Sequence, residues 1–178
     1  MNGIEIQRAA LADIEQLRHI GRQTFLEAFS GENTADNMQK YVADNFNINK
    51  LTDEIRNTNS EFYFATLDTN AVGYLKINVG QAQSELKDDN ALEIERIYVL
   101  QEFWRKGVGQ ILIDKALQIA AQRQADYAWL GVWEKNSRAI SFYKKNGFTE
   151  FGRHIFKLGE DVQTDIMMKL NIGRYKQA

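Results

Sequence analysis

The chain has 178 residues, 44% of them hydrophobic, and a net charge of −2, which fits one domain over residues 1–178 with enough apolar material for a buried core. The absence of cysteine excludes disulfides, thiolate metal ligands and a cysteine acyl-enzyme, and the net negative charge argues against nucleic-acid binding. No basic and apolar leader opens the chain and no apolar run of about 18 residues follows, so we expect a soluble cytoplasmic protein without a membrane partner.

Hydrophobic periodicity predicts the helices and strands, and Gly, Asn and Asp mark their ends because the chain has no proline. In the first half we predict a strand at Ile4–Arg8, a helix at Ala10–Phe29, helical pieces at Thr34–Asn45 and Asn49–Asn57, and strands at Glu61–Leu67 and Ala71–Val79. In the second half we predict a polar loop at Gln81–Asn90, a strand at Leu92–Val99, a helix after Gly107 to Ala120, a strand at Tyr127–Trp133, a helix at Ser137–Asn146, and strands at Thr149–Lys157 and Thr164–Leu170. Strands with helices inserted between them predict a mixed α/β sheet.

The turn Lys106–Gly109 lies between a predicted strand and a predicted helix. A glycine pair that opens a helix leaves backbone N–H groups accessible, and the helix dipole adds positive potential where they point. We therefore predict a bound anion, such as a diphosphate, at this turn. A nucleoside-triphosphate loop would need Gly-Lys-Ser/Thr, and a dinucleotide motif would need a third glycine where the chain has Leu112. Both common nucleotide motifs are absent.

The segment Trp104-Arg105-Lys106-Gly107-Val108-Gly109 resembles the acyl-CoA loop of the GCN5-related N-acetyltransferases (GNAT), whose pattern is Gln or Arg, two residues, Gly, one residue, and Gly or Ala. Trp104 departs from this pattern and removes one side-chain contact, while the backbone donors remain. The later series Asn136, Arg138-Ala139, Phe142-Tyr143, Gly147-Phe148 is similar to the fifth strand and following helix of the family. Five more segments resemble the bacterial Pai-type polyamine N-acetyltransferases: Gln23-Thr24-Phe25, Gly73–Lys76, Ile94–Val99, Leu130–Asn136 and Gln163-Thr164-Asp165.

The resemblance implies the GNAT fold, an α/β architecture with a mixed, mostly antiparallel seven-stranded sheet flanked by helices. Strands 4 and 5 splay apart in that fold, and we expect unpaired backbone groups of Ile97 and Val99 to bind pantetheine in the gap. The implied cofactor is acetyl-CoA, used for direct acetyl transfer to a primary amine in a ternary complex. The expected cofactor-binding residues are Ile97, Tyr98, Val99, Trp104, Arg105, Lys106, Gly107, Val108, Gly109, Gln110, Asn136, Arg138 and Tyr143.

The reaction needs a base, because an alkyl amine of pKa about 10.4 is protonated at neutral pH. Glu93 and Glu95 share one face of the predicted strand with Ile97 and Val99, since side chains alternate along a strand. The resemblance places the base of some histone acetyltransferases at Glu93 and an acidic residue of polyamine acetyltransferases at Glu95. We favour Glu95, acting directly or through water, although either glutamate could instead only pair with a cation. Tyr143 is the expected general acid beside the CoA sulfur.

The expected acceptor is a polyamine, spermidine or spermine. Between residues 27 and 61 the chain has seven acids and three bases, and such a surface attracts a polycation. The expected acceptor-binding residues are Glu27, Glu32, Asp36, Glu95 and His154. The two histidines are far apart in sequence, so no metal site is expected. Another amine, such as a protein N-terminus, an amino acid or an antibiotic, remains an alternative, as does an acyl-CoA-sensing regulatory protein, and the chain could be a monomer or a homodimer.

Overall fold

A computed structural model describes residues 3–31, 33–158 and 161–173 of the chain. In this part of the chain seven strands form one sheet in the order β1-β2-β3-β4-β5-β7-β6. The strands are β1 (Ile4–Arg8), β2 (Ser60–Leu67), β3 (Asn70–Val79), β4 (Ala91–Val99), β5 (Tyr127–Trp133), β6 (Thr149–Leu158) and β7 (Asp161–Asn171). Neighbouring strands are antiparallel except β4 and β5, which are parallel. The expected mixed, mostly antiparallel sheet is confirmed.

The described helices are α1 (Ile14–Phe29), α2 (Ala35–Asn45), α3 (Ile48–Arg56), α4 (Val108–Gln122) and α5 (Ser137–Lys145). The predicted first helix begins later than Ala10, because Leu11–Asp13 form a 3-10 turn in which the Asp13 carboxylate accepts the Ala10 amide. Helix α3 begins at Ile48, where the Asn47 side chain accepts the Lys50 amide as an N-cap. None of the described helices is long and apolar enough to cross a membrane.

Helices cover both faces of the sheet and form two hydrophobic clusters. On one face, Leu112 and Ile113 of α4 pack with Leu92 and Ile94 of β4. The opposite face holds residues of the first three helices, among them the buried Phe25 of α1, packed against the sheet. Burial of apolar surface on both sides fixes the sheet as the central layer.

Strand β4 contains a bulge at Glu95. Its register with β3 pairs Lys76 with Arg96 and Ile77 with Ile94, which leaves Glu95 as an extra residue. The predicted alternation was therefore wrong beyond this point, because one inserted residue moves all later side chains to the other face. Ile97 and Val99 pack with the cluster under α4, whereas Tyr98 belongs to the opposite cluster.

Strands β4 and β5 separate beyond their first residues. Their parallel pairing joins Ala91–Glu93 to Tyr127–Trp129. Further along, Ile94–Val99 and Gly131–Trp133 line the two sides of a cleft of about 870 Å³. The expected splay of strands 4 and 5 is thus present, and it positions the candidate site.

Candidate active site

The cleft between β4 and β5 collects side chains from distant parts of the chain. Besides the two strands, its lining comes from α1, α2 and the residue after it, the β3–β4 loop, the turn before α4, α4 itself, α5, β6 and β7. Most of the predicted site residues lie in this lining: Glu93, Glu95, Ile97, Tyr98, Val99, Trp104, Arg105, Gly107, Gly109, Gln110, Asn136, Arg138, Tyr143 and His154. The structure therefore brings two separate sequence motifs together in one site.

The turn before α4 has the geometry of an anion-binding nest. Arg105 and Gly107 have positive φ angles of +62° and +86°, and Gly107 is the N-cap residue of the helix. The Lys106 amide donates to the Phe103 carbonyl at 3.3 Å, so the donors of this nest are the amides that follow it, because the first amides of a helix have no partner inside it. A diphosphate fits this cradle. The sequence did not predict the left-handed Arg105.

Two residues of the predicted cofactor set do not line the cleft with their side chains. The Lys106 ammonium lies 5.2 Å from the centroid of the Phe103 ring, and the Val108 side chain is buried in the cluster under α4. Lys106 is long enough to fold onto a neighbouring ring, and the first apolar position of an amphipathic helix faces the core. Val108 can therefore contribute only its backbone amide to an anion site.

The exposed edge of β4 faces the cleft with its backbone. The Leu100 amide donates to the Val72 carbonyl of β3, so the alternating ladder directs the polar groups of Ile97 and Val99 away from β3. The Trp104 indole N–H donates to the Val99 carbonyl at 2.8 Å. One of the backbone groups expected to meet pantetheine is therefore already paired.

Helix α5 presents Asn136 and Tyr143 to the cleft. Asn136 is the N-cap residue, because its side chain accepts the Ala139 amide at 3.1 Å. The Tyr143 ring packs against Phe142 and Phe148, and burial raises the pKa of its hydroxyl. This phenol stays protonated at neutral pH and can donate a hydrogen bond to a group in the cleft.

Glu93 is a buried carboxylate held by neutral donors. Its oxygens accept the Ser84 amide at 2.9 Å, the Ser84 hydroxyl and the Asn78 amide at 2.9 Å. Burial raises the pKa of Glu93, and the hydrogen bonds from Ser84 and Asn78 only partly offset this effect. Such a carboxylate is a stronger base than an exposed glutamate.

Ser84 reaches Glu93 because the β3–β4 loop is anchored by Gln83. The Gln83 side chain is fully buried, donates to the Asp88 carbonyl at 2.7 Å and accepts the Trp129 indole at 2.7 Å. Sequence analysis identified this segment only as a polar loop, and a single serine in such a loop carries no signal of a role beside a carboxylate.

Glu95 belongs to an ion-pair network instead. Its carboxylate lies 2.6 Å from the Lys76 ammonium and 3.1 Å from the Arg96 guanidinium, and both cations also contact Glu54 of α3. Burial alone would raise the pKa of Glu95, but the charges of Arg96 and Lys76 lower it to about 2. Glu95 therefore accepts a proton far less readily than Glu93.

The side of the cleft away from the nest carries a second polar group of residues. His154 Nε2 lies 4.0 Å from Glu85 and 3.9 Å from the Asp165 carboxylate. Asp165 Oδ1 and His154 Nδ1 are buried, and neither has a hydrogen-bond partner among the described residues. Burial raises the pKa of Asp165, which the charge of His154 partly offsets. Sequence analysis missed Glu85 and Asp165, although Asp165 lies in a segment that carried the family resemblance.

Two of the acidic residues predicted to bind the acceptor lie outside the cleft lining. The Glu27 carboxylate accepts the Gln101 amide at 2.6 Å and so connects α1 to the segment after β4. Asp36 is exposed in the first turn of α2, and neither residue lines the cleft. Glu32 lies outside the described residues. The local excess of acidic residues between residues 27 and 61 therefore does not bring these two carboxylates to the cleft.

The sequence model of the acetyltransferase (GNAT) family matches residues 15–148. The chain belongs to this family. An uncharacterized N-acetyltransferase in the pepI 3′ region of Lactobacillus delbrueckii subsp. lactis is 39% identical over 169 residues, which cover 95% of this chain and 98% of that protein. The spermidine N(1)-acetyltransferase of Thermoplasma acidophilum is 26% identical over 149 residues, which cover 82% and 88% of the two chains.

The fold has a close counterpart among solved structures. The PaiA N-acetyltransferase from Thermoplasma acidophilum, in complex with coenzyme A, superimposes with a TM-score of 0.78 at 23% identity, covering 95% of this chain and 99% of that one. Family membership confirms the predicted enzyme class and cofactor: the chain is an N-acetyltransferase that uses acetyl-CoA and acts on an amine.

Proposed function

We propose that this GNAT enzyme acetylates a primary amine of a polyamine of the spermidine and spermine class, by direct transfer in a ternary complex. The observation that carries the proposal is the buried Asp165 oxygen beside Glu85 and His154, which has no hydrogen-bond partner among the described residues. A buried carboxylate oxygen without a donor is costly, and an ammonium group of the acceptor other than the one that is acetylated satisfies it. Similarity to a spermidine N(1)-acetyltransferase supports the same class of acceptor.

The cofactor end of the cleft binds and orients acetyl-CoA, which supplies an activated acetyl thioester. The nest at Arg105 and Gly107 and the start of α4 hold the diphosphate. The backbone of Ile97 on the open edge of β4 pairs with pantetheine as an added strand would. Together these contacts direct the thioester towards the point where β4 and β5 separate.

We assign Glu93 rather than Glu95 as the base. A protonated amine must lose a proton before it can attack, and burial makes Glu93 the more basic of the two carboxylates. Glu95 keeps its charge well below neutral pH and orients Lys76 and Arg96 instead. Glu93 takes the proton directly or through one water molecule.

Tyr143 assists the departure of the CoA sulfur. A thiolate leaves more readily when a donor stabilises its negative charge, and the Tyr143 hydroxyl is a donor at neutral pH because burial raises its pKa. Tyr143 lines the cleft, so we place its hydroxyl beside the ligand. Glu93 thus accepts the proton that the amine loses, and Tyr143 donates a hydrogen bond to the CoA sulfur that leaves.

The acceptor can be tested with a set of amines and acetyl-CoA, with release of free thiol as the readout. Spermidine should turn over faster than n-butylamine or a short peptide with a free N-terminus, since only spermidine carries further ammonium groups. Salt should raise the KM for spermidine, because screening acts over about 8 Å at physiological ionic strength. A preference for butylamine without a salt effect contradicts the polyamine assignment and leaves the acetyltransferase activity intact.

The variant Asp165→Asn isolates the proposed contact. It should raise the KM for spermidine by roughly tenfold and leave the KM for butylamine unchanged, because only spermidine loses an ionic partner. Glu150→Gln is the matched control, since Glu150 is an exposed carboxylate paired with Lys144 outside the cleft.

The cytoplasmic location and the oligomeric state of the protein stay predictions.

A further inference from the structure

The acyl-CoA loop begins with Trp104 in place of the usual Gln or Arg, and this side chain is firmly placed. The indole is half-buried in the wall of the cleft. Its N–H donates to the Val99 carbonyl at 2.8 Å, which fixes the plane of the ring relative to β4. A tryptophan at this position cannot supply the positive charge that arginine would bring to a phosphate.

A positive charge reaches the same place from α5. The Arg138 guanidinium carbon lies 3.4 Å from the centroid of the Trp104 ring. The other cation–ring contacts among the described residues have distances of 5.2 to 5.7 Å. Only the Arg138 contact has the short spacing of a guanidinium stacked flat on an aromatic face.

Arg138 and Arg105 form a pair of unneutralised cations beside the nest. Within the described part of the chain, neither guanidinium forms an ion pair with a carboxylate. Burial, and then the neighbouring charge of Arg105, lower the pKa of Arg138. Two like charges held together at the mouth of a cleft are stabilised by an anion.

We propose that Trp104 is a positioning residue that holds Arg138 against the acyl-CoA loop, so that helix α5 supplies the phosphate-binding cation missing at position 104. Arg138 contacts a CoA phosphate, and Trp104 acts through Arg138. The stack also joins the segment after β4 to the helix after β5, on opposite sides of the splay.

A double-mutant cycle measured by calorimetry with coenzyme A tests this coupling. Trp104→Leu and Arg138→Gln should each weaken CoA binding by about tenfold. The double variant should bind no more weakly than the weaker single variant, because both substitutions remove the same contact. Losses that multiply in the double variant, or an unchanged affinity in Trp104→Leu, overturn the proposal.

Two further variants keep the cycle decisive. If Trp104→Leu does not fold, Trp104→Phe replaces it in the cycle. Because phenylalanine retains a ring, its loss of CoA affinity should be smaller, and it should again be non-additive with the loss in Arg138→Gln. Lys115→Gln is the matched control: the Lys115 ammonium lies 5.3 Å from the Tyr63 ring, a similar contact outside the cleft, and its removal should leave CoA affinity unchanged.

The acetyl donor S-acetylpantetheine, which has no phosphate, separates charge recognition from packing. Its KM should be the same for the wild type, Trp104→Leu and Arg138→Gln, whereas the KM for acetyl-CoA should rise in both variants. An equal rise for both donors would mean that the stack only maintains the shape of the cleft, and it would overturn the assignment of Arg138 to a phosphate.

Discussion

The cleft has a basic end and an acidic end. At the basic end Arg105 and Arg138 stand beside the glycine turn, while at the acidic end Glu85 and Asp165 surround His154. Acetyl-CoA is an anion and an amine acceptor is a cation at neutral pH, so each is attracted to one end and repelled from the other. This division fits the proposed transfer in a ternary complex, in which both substrates would occupy one cleft.

A similar contrast separates Glu93 from Glu95, which both accept from the Asn78 amide. Glu93 otherwise meets only neutral donors from the β3–β4 loop, and Glu95 meets two cations. Residue type alone therefore does not decide which carboxylate is basic. The hydrogen-bond and ion-pair partners of each carboxylate decide its basicity, and we expect the two glutamates to respond differently to the same substitution.

The largest effect is expected for Glu93→Gln. Loss of the base should lower kcat by about 10³-fold, with partial recovery at high pH, where more of the amine is already neutral. In the wild type the acid limb of the kcat profile should lie above the ordinary glutamate pKa of about 4.3, because burial raises the pKa of Glu93 and only the ionised form accepts a proton.

Glu95→Gln is the paired variant and should act on stability. It should lower the free energy of unfolding by roughly 3 kcal/mol, because Lys76 and Arg96 then share only Glu54, with a smaller change in kcat. Since folding lowers the pKa of Glu95 to about 2, its stabilisation is full above about pH 4.3 and is lost as the pH falls towards 2. Denaturant unfolding at pH 7 and pH 3 measures this difference.

A high-pH rescue of the activity of Glu95→Gln but not of Glu93→Gln would return the role of base to Glu95.

Tyr143→Phe should have the next largest effect. It retains the ring that packs against Phe148 and removes only the hydroxyl, so kcat should fall by roughly 10²-fold while CoA affinity changes little. Tyr127→Phe is the control, since the Tyr127 hydroxyl bonds to Asp88 outside the cleft. Steady-state kinetics and calorimetry separate the two parameters. Unchanged turnover in Tyr143→Phe would limit this residue to packing.

The basic end could be predicted from the sequence, and the acidic end largely could not. The residues of this end lie in two short motifs, one at the start of α4 with Gly107 and Gly109 and one along α5 with Asn136 and Tyr143. Each motif adjoins the helix that positions it, so the placement of its residues depends on local geometry. Asp165 reaches His154 only through the pairing of β6 with β7. Such a register is set by contacts across the whole sheet, which spacing along the chain does not encode.

The strands and helices were predicted well apart from the start of α1 and the bulge in β4. Hydrophobic alternation in β4 gives no signal of an extra residue, so Glu95 and Ile97 were assigned to the same face. The bulge, in turn, places Glu95 between Lys76 of the neighbouring strand β3 and Arg96 of β4 itself. The organisation of residues 1–178 as one domain stays a prediction.

Gly109→Asp should disrupt the basic end by charge rather than by shape. A Cβ at Gly109 would lie 3.7 Å from the Phe142 ring, an ordinary contact, so Gly109→Ala should fold and bind CoA almost normally. The aspartate adds a negative charge beside the nest and should weaken CoA binding by roughly 10- to 100-fold. Calorimetry measures both variants. Equal affinities in the two would exclude the start of α4 from the phosphate site.

Arg105→Gly should have the smallest effect, and it separates strain from charge at the basic end. Arg105 has a φ of +62°, and relief of a left-handed non-glycine residue should raise the free energy of unfolding by about 1 kcal/mol. The same change removes a cation, so CoA affinity should fall by a few-fold. Gln124→Gly is the control, because Gln124 has a φ of +58° in the turn after α4, outside the cleft. It should gain similar stability in denaturant unfolding with unchanged CoA affinity. If Arg105→Gly also binds CoA as the wild type does, the attraction at the basic end comes from Arg138 and the backbone amides.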